Sequence, residues 1–105
     1  MRIIETPIFT KQIKSLLSDE EYRELQNKLV LKPDSGIIIK RSGGLRKLRW
    51  IGSGRGKRGG TRIIYYWFKD EEIIFMLLIY LKNESDDLTK DQIKILKSIV
   101  ESELK

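Results

Sequence analysis

Neither cysteine nor histidine occurs among the 105 residues of this chain. The missing cysteines exclude a disulfide framework and thiolate metal sites, and fit a reducing compartment. The missing histidines exclude an imidazole general base, a His-based catalytic dyad and a His metal site. Long apolar runs are missing too. The longest, Ile73 to Leu81, is too short to cross a bilayer as a helix. The N-terminal MRIIETPIFTKQ has neither the apolar region nor the small-residue cleavage site of a signal peptide. The expectation is a soluble, cytoplasmic protein with no membrane partner.

A further absence is local. Between Gly36 and Lys69 there are ten Lys/Arg and no Asp or Glu, whereas the rest of the chain carries a net −4. The overall +6 is therefore one strongly basic segment on a mildly acidic scaffold. Clustering of this kind is the electrostatic footprint of a polyanion binder. The same window offers no carboxylate to hold a metal ion, so no metal site and no cofactor are expected.

Forty per cent of the residues are hydrophobic, enough for one real core, and the length fits a single domain over residues 1–105. Arg2 to Phe9 reads as a strand and Thr10 to Leu17 as a short helix, with Ile13, Leu16 and Leu17 at helical spacing. Ser18-Asp19-Glu20-Glu21 is a capping-box pattern opening a second helix, striped by Tyr22, Leu25 and Leu29 and ending near Lys32, before Pro33. Strands are expected at Gly36 to Lys40, Leu45 to Ile51, Thr61 to Lys69 and Ile73 to Leu81, the last apolar on both faces as a central strand should be. Thr89-Lys90-Asp91-Gln92 caps a final helix striped by Ile93, Leu96, Val100 and Leu104. This order predicts an α+β fold: a mostly antiparallel sheet of four to five strands, two N-terminal helices and one C-terminal helix.

The basic segment holds most of the chemistry. Strand alternation sets Lys47 and Arg49 on one face, and Arg62, Ile64 and Tyr66 on one face of the next strand, so antiparallel neighbours can converge several cations. Repulsion within such a patch costs stability, which a binding role explains. Arg46 alternates onto the face of Leu48 and Trp50, and either stays there or reaches round to bind. The loop Gly52 to Gly60 has no Walker motif and leads into a strand. It is either a mobile hairpin loop or a flexible backbone that lets Arg55, Lys57 and Arg58 follow phosphates. Tyr66 is either a core ring or a base-stacking platform. Tyr80 and Lys82 end the central strand, where binding groups protrude from a rigid sheet. Tyr80 is either a core tyrosine or a titratable or stacking group of the site.

GGLRKLRW, the following GKRGGTRIIYYW and the later IYLKNESDDL together resemble the HigB branch of the RelE/ParE toxin superfamily, over nearly the whole chain. The resemblance implies a RelE-like fold and the toxin of a type II toxin–antitoxin pair, a ribosome-dependent mRNA endonuclease acting in the ribosomal A site. It implies a cognate helix-turn-helix, HigA-like antitoxin as partner, with operator DNA reached only through that antitoxin. By residue match, Lys47, Arg49 and Arg62 take the places of catalytic or phosphate-binding cations, and Lys82 a matching basic position. A catalytic tyrosine found in the last helix of some relatives has no counterpart, and Tyr80 is the substitute. RNA brings its own nucleophile, the 2′-hydroxyl, so a chain without His or Cys can still cleave it by alignment and charge stabilisation. The alternatives are a ParE-like gyrase poison of the same fold and a plain RNA-binding module.

Overall fold

The computed structural model describes residues 1–51, 60–81 and 87–103. Its elements follow the order β1 (Arg2–Glu5), α1 (Pro7–Leu16), α2 (Asp19–Leu31), β2 (Ile37–Ile38), β3 (Leu45–Trp50), β4 (Thr61–Phe68), β5 (Ile73–Leu81) and α3 (Lys90–Glu103). The strands form one five-stranded sheet in the order β1-β5-β4-β3-β2. Only β1 runs parallel to its neighbour β5; the other pairings are antiparallel. The α+β architecture is the one expected.

The first strand is shorter and the first helix longer than the apolar pattern suggests. The chain leaves the strand at Thr6, whose side chain accepts from the Phe9 amide at 3.1 Å as an N-cap, with Pro7 in the first turn. Proline belongs there because its missing N–H would be unpaired anyway and its φ already suits a helix. The expected start at Thr10 is therefore corrected to Pro7. The capping box at Ser18 and Glu21 forms as expected. So does that at Thr89 and Gln92, with reciprocal bonds of 3.1 and 2.9 Å. The strand expected over Gly36 to Lys40 shrinks to Ile37–Ile38 at the sheet edge.

Both faces of the sheet are covered. On one, Phe9, Ile13 and Leu17 with Leu25 and Leu29 pack on Leu48, Ile63, Tyr65, Ile74, Met76 and Ile79. On the other, Leu96 and Val100 of α3 pack on Leu45, Ile64, Phe75, Leu77 and Tyr80. Tyr65 fixes the connection between α2 and β2. Its hydroxyl donates to the Pro33 carbonyl at 2.7 Å and accepts from the Gly36 amide at 2.8 Å. Gly36 is required there, since a Cβ would stand 2.8 Å from the Tyr65 ring.

A β-bulge in β5 sets the rest of the geometry. Ile64 pairs with Leu78 but Tyr65 pairs with Met76, leaving Leu77 as the extra residue. Up to Met76 the even-numbered residues face α1 and α2; beyond the bulge Ile79 does, and Tyr80 turns to the α3 face. Thr6 satisfies the backbone here, its amide donating to Met76 O at 3.0 Å and its hydroxyl to Leu77 O at 2.8 Å.

Candidate active site

Three strands place four of the expected residues on the α3 face of the sheet. Arg49 of β3 stands directly opposite Arg62 of β4, and Arg62 directly opposite Tyr80 of β5. Lys47 lies one step along β3 on the same face, opposite Ile64. Directly opposed residues have Cβ atoms about 4.5–5.5 Å apart, so these groups form one row across the sheet. Like charges directly opposed in this way are destabilising.

The row runs from open to buried. Arg49 is exposed, Arg62 is only 9% exposed and Tyr80 7%. A guanidinium so enclosed on a rigid central strand has few rotamers, which is the preorganisation that charge stabilisation needs. The Tyr80 hydroxyl is fully enclosed and has no hydrogen-bond partner among the described residues. Burial pushes its pKa up, against the opposing pull of Lys47 and Arg62. Tyr80 is therefore a neutral phenol at physiological pH, able to donate a proton or hydrogen bond rather than to take one.

Lys47 Nζ donates to Asp87 Oδ1 at 2.9 Å, an ion pair joining β3 to the segment just before α3. That hydrogen bond, together with the Lys47 charge, holds the Asp87 carboxyl below its usual range. Asp87 is not among the site residues expected from the sequence. Its partner lies 40 residues away, and no local pattern announces such a pair. Ile39, Lys47, Asp87, Leu88 and Ile93 enclose a cleft of roughly 230 Å³ at this point. Among the described residues no three acidic side chains come together as a metal site would require.

Other expected residues are not brought to the row. Arg46 lies on the opposite face, donating to Gly36 O at 2.9 Å and resting 5.9 Å from the Trp67 ring centre. Tyr66 shares the face of Arg62 but stands opposite Leu45, half-buried near Phe68 and Lys97 beneath α3. Arg55, Lys57, Arg58 and Lys82 lie outside the described residues.

Among the described residues no helix is long and apolar enough to cross a membrane. The fold is that of known toxins. A mutant of the E. coli toxin RelE in its free state superposes with a TM-score of 0.57 at 16% identity, over 81% of this chain and 86% of that one. A chain of the intact E. coli RelBE toxin–antitoxin complex does so with a TM-score of 0.57 at 13% identity, over 74% of this chain and 92% of that one. The family model for the RelE toxin of the RelE/RelB toxin–antitoxin system matches residues 1–105, and the chain belongs to that family.

Proposed function

We propose that this toxin is a single-domain, ribosome-dependent endoribonuclease that works in the cytoplasm, cutting mRNA in the ribosomal A site without a metal of its own. The observation that carries this reading is the row Arg49–Arg62–Tyr80 with Lys47 beside it. It brings three cations, one of them the enclosed Arg62, and one buried proton donor to neighbouring positions on one face of the sheet. A phosphodiester placed there would meet the cations through its non-bridging oxygens.

The reaction needs no protein nucleophile. The 2′-hydroxyl passes its proton to water and attacks the adjacent phosphorus, the bond to the 5′-oxygen breaks, and that oxygen takes up a proton from Tyr80, whose lost proton water then replaces. The products are a 2′,3′-cyclic phosphate and a 5′-hydroxyl. Lys47, Arg49 and Arg62 stabilise the charge that builds on the phosphate. The neutral Tyr80 hydroxyl is suited to donate to a phosphate oxygen or to the departing 5′-oxygen. In-line alignment of the RNA supplies much of the acceleration, and the ribosome is what holds the strand in that geometry. A HigA-like, helix-turn-helix antitoxin would mask the cations with an acidic segment, and operator DNA would be reached only through it.

Purified protein is incubated with free mRNA and, separately, with translating ribosomes, and the product ends are mapped. Cleavage on ribosomes alone, leaving cyclic or 3′-phosphate ends, is the expected result. A 3′-hydroxyl with a 5′-phosphate would point to metal-activated water and overturn the mechanism. Replacing Arg62 with Ala should lower ribosomal cleavage about a hundredfold or more with the fold intact. Full activity of a folded R62A protein would remove Arg62 from the site.

A further inference from the structure

Ile93, in the first turn of α3, lines two cavities at once. One is the cleft that contains Lys47 and Asp87. The other, of roughly 600 Å³, is lined by Lys40, Arg41 and Lys90 as well as Ile93. Three cations converge on this second cavity. Among the described residues no carboxylate lines it, and none of the three forms an ion pair. All three are exposed, so their repulsion is softened by water, and among the described residues no counter-charge offsets it. Lys90 is also the first residue of α3, the end at which the helix dipole disfavours a cation.

The turn that carries two of the three is fixed from beneath. The buried Ser42 hydroxyl donates to Ile39 O at 2.6 Å and accepts from the Leu45 amide at 3.0 Å. Lys40 and Arg41 are therefore presented by a tied backbone, directly after the residue Ile39 that lines the Lys47 cleft.

We propose that this cavity is a phosphate subsite for the RNA strand. Lys40, Arg41 and Lys90 hold a backbone phosphate of the strand whose scissile phosphate lies against Lys47, Arg49 and Arg62. The proposal rests on the ribonuclease reading above and deepens it by assigning the path along which the strand leaves the reaction centre. Continuity favours RNA over an acidic peptide: the two cavities share Ile93, so one polyanion can pass from one to the other without leaving the surface.

The test compares the wild-type protein with a triple variant, Lys40→Gln, Arg41→Asn, Lys90→Gln. Asparagine is chosen at 41 because Arg41 has φ 60, a left-handed conformation that asparagine tolerates. Binding of a fluorescently labelled single-stranded RNA is measured across a salt series. Each phosphate contact to a single strand contributes about −0.7 to the slope of log affinity against log salt. The triple variant should show a slope shallower by at least about 0.7, with affinity at low salt lowered about tenfold. A Lys40→Arg, Lys90→Arg variant should keep the wild-type slope. On translating ribosomes the triple variant should need more protein for half-maximal cleavage while leaving the same product ends. An unchanged slope and affinity overturns the proposal. So does unchanged RNA binding with weakened capture of the antitoxin, which would make the cavity a protein contact. If the wild-type chain cleaves no mRNA, the ribonuclease reading falls, while the salt slope still reports whether these cations hold a phosphate.

Discussion

Arg62 and Tyr80 face each other across β4 and β5 because one residue, Leu77, is bulged out of the ladder between them and the rest of the sheet. Without that extra residue the alternation of β5 would carry Tyr80 to the side of α1 and α2, away from every cation of the row. The bulge is held by Thr6, which bonds the backbone at Met76 and Leu77 while capping α1. One side chain thus links the start of a helix to the aim of Tyr80, three residues along the neighbouring strand from Leu77. Bulges are often found where a strand must re-aim a side chain beside a functional site.

Replacing Thr6 with Val should therefore cost both stability and activity. The cap and the bond to Leu77 O are lost together, which amounts to about 1–3 kcal/mol. The melting temperature should fall, and ribosomal cleavage should fall further than the lost stability explains at temperatures where the protein is still folded. Thr6→Ser, which keeps the hydroxyl, should restore most of both. Loss of stability with unimpaired cleavage would show that the bulge does not depend on this contact.

Tyr80→Phe separates chemistry from folding. The hydroxyl is buried and unpartnered among the described residues, so its desolvation is a cost that phenylalanine does not carry. The melting temperature should hold or rise. If the hydroxyl donates to the reacting phosphate, cleavage should nonetheless drop, by about a hundredfold for a general-acid role. Wild-type cleavage by Y80F would return Tyr80 to the core residues.

Much of this was legible in the sequence, and the parts that were not share a physical cause. The two capping boxes and the period of β3 and β4 are local signals, and they place Lys47, Arg49 and Arg62 correctly on one face. The early start of α1 was also written locally, in Thr6-Pro7, but Ile3, Ile4, Ile8 and Phe9 read together as one weakly alternating strand and masked it. The bulge at Leu77 could not be read, because Ile73 to Leu81 is apolar throughout and carries no alternation in which a shift would show. The Lys47–Asp87 pair and the adjoining Lys40, Arg41 and Lys90 bring together residues from separate strands, turns and a helix. Only the tertiary fold makes them neighbours.

Three tyrosines give the protein an alkaline limit. Burial pushes the hydroxyl pKa of Tyr65 and Tyr80 above the ordinary 10.0, and that of Tyr22 higher still, aided by its hydrogen bond to Glu5. The folded state binds these protons more tightly than the unfolded chain. Their contribution is fully present below the ordinary tyrosine pKa and is lost as pH rises through the folded values. Stability should be flat in this respect through neutral pH and fall steeply above about pH 10. Thermal melts from pH 8 to 11 would show it, and Tyr22→Phe should make the fall shallower. A melting temperature level across that range would mean that folding does not raise the tyrosine pKa values.

Asp87→Asn tests what the ion pair does before RNA arrives. The Asp87 carboxylate stays ionised through neutral pH, since its partner holds its pKa down, and it occupies one hydrogen-bonding direction of Lys47 Nζ. A phosphate entering the row must share or take that direction. The asparagine variant keeps the shape and removes the negative charge, so RNA should bind several-fold more tightly at low salt, with a difference that shrinks as salt screens it. The rate of the cleavage step should fall if the pair also aims Lys47 at the phosphate, because the freed side chain then samples more rotamers. Tighter binding with slower cleavage assigns Asp87 as a positioning residue for Lys47. Tighter binding at an undiminished rate makes it a competitor that RNA displaces. Weaker binding would overturn both, and would show that Lys47 reaches the strand only while Asp87 holds it.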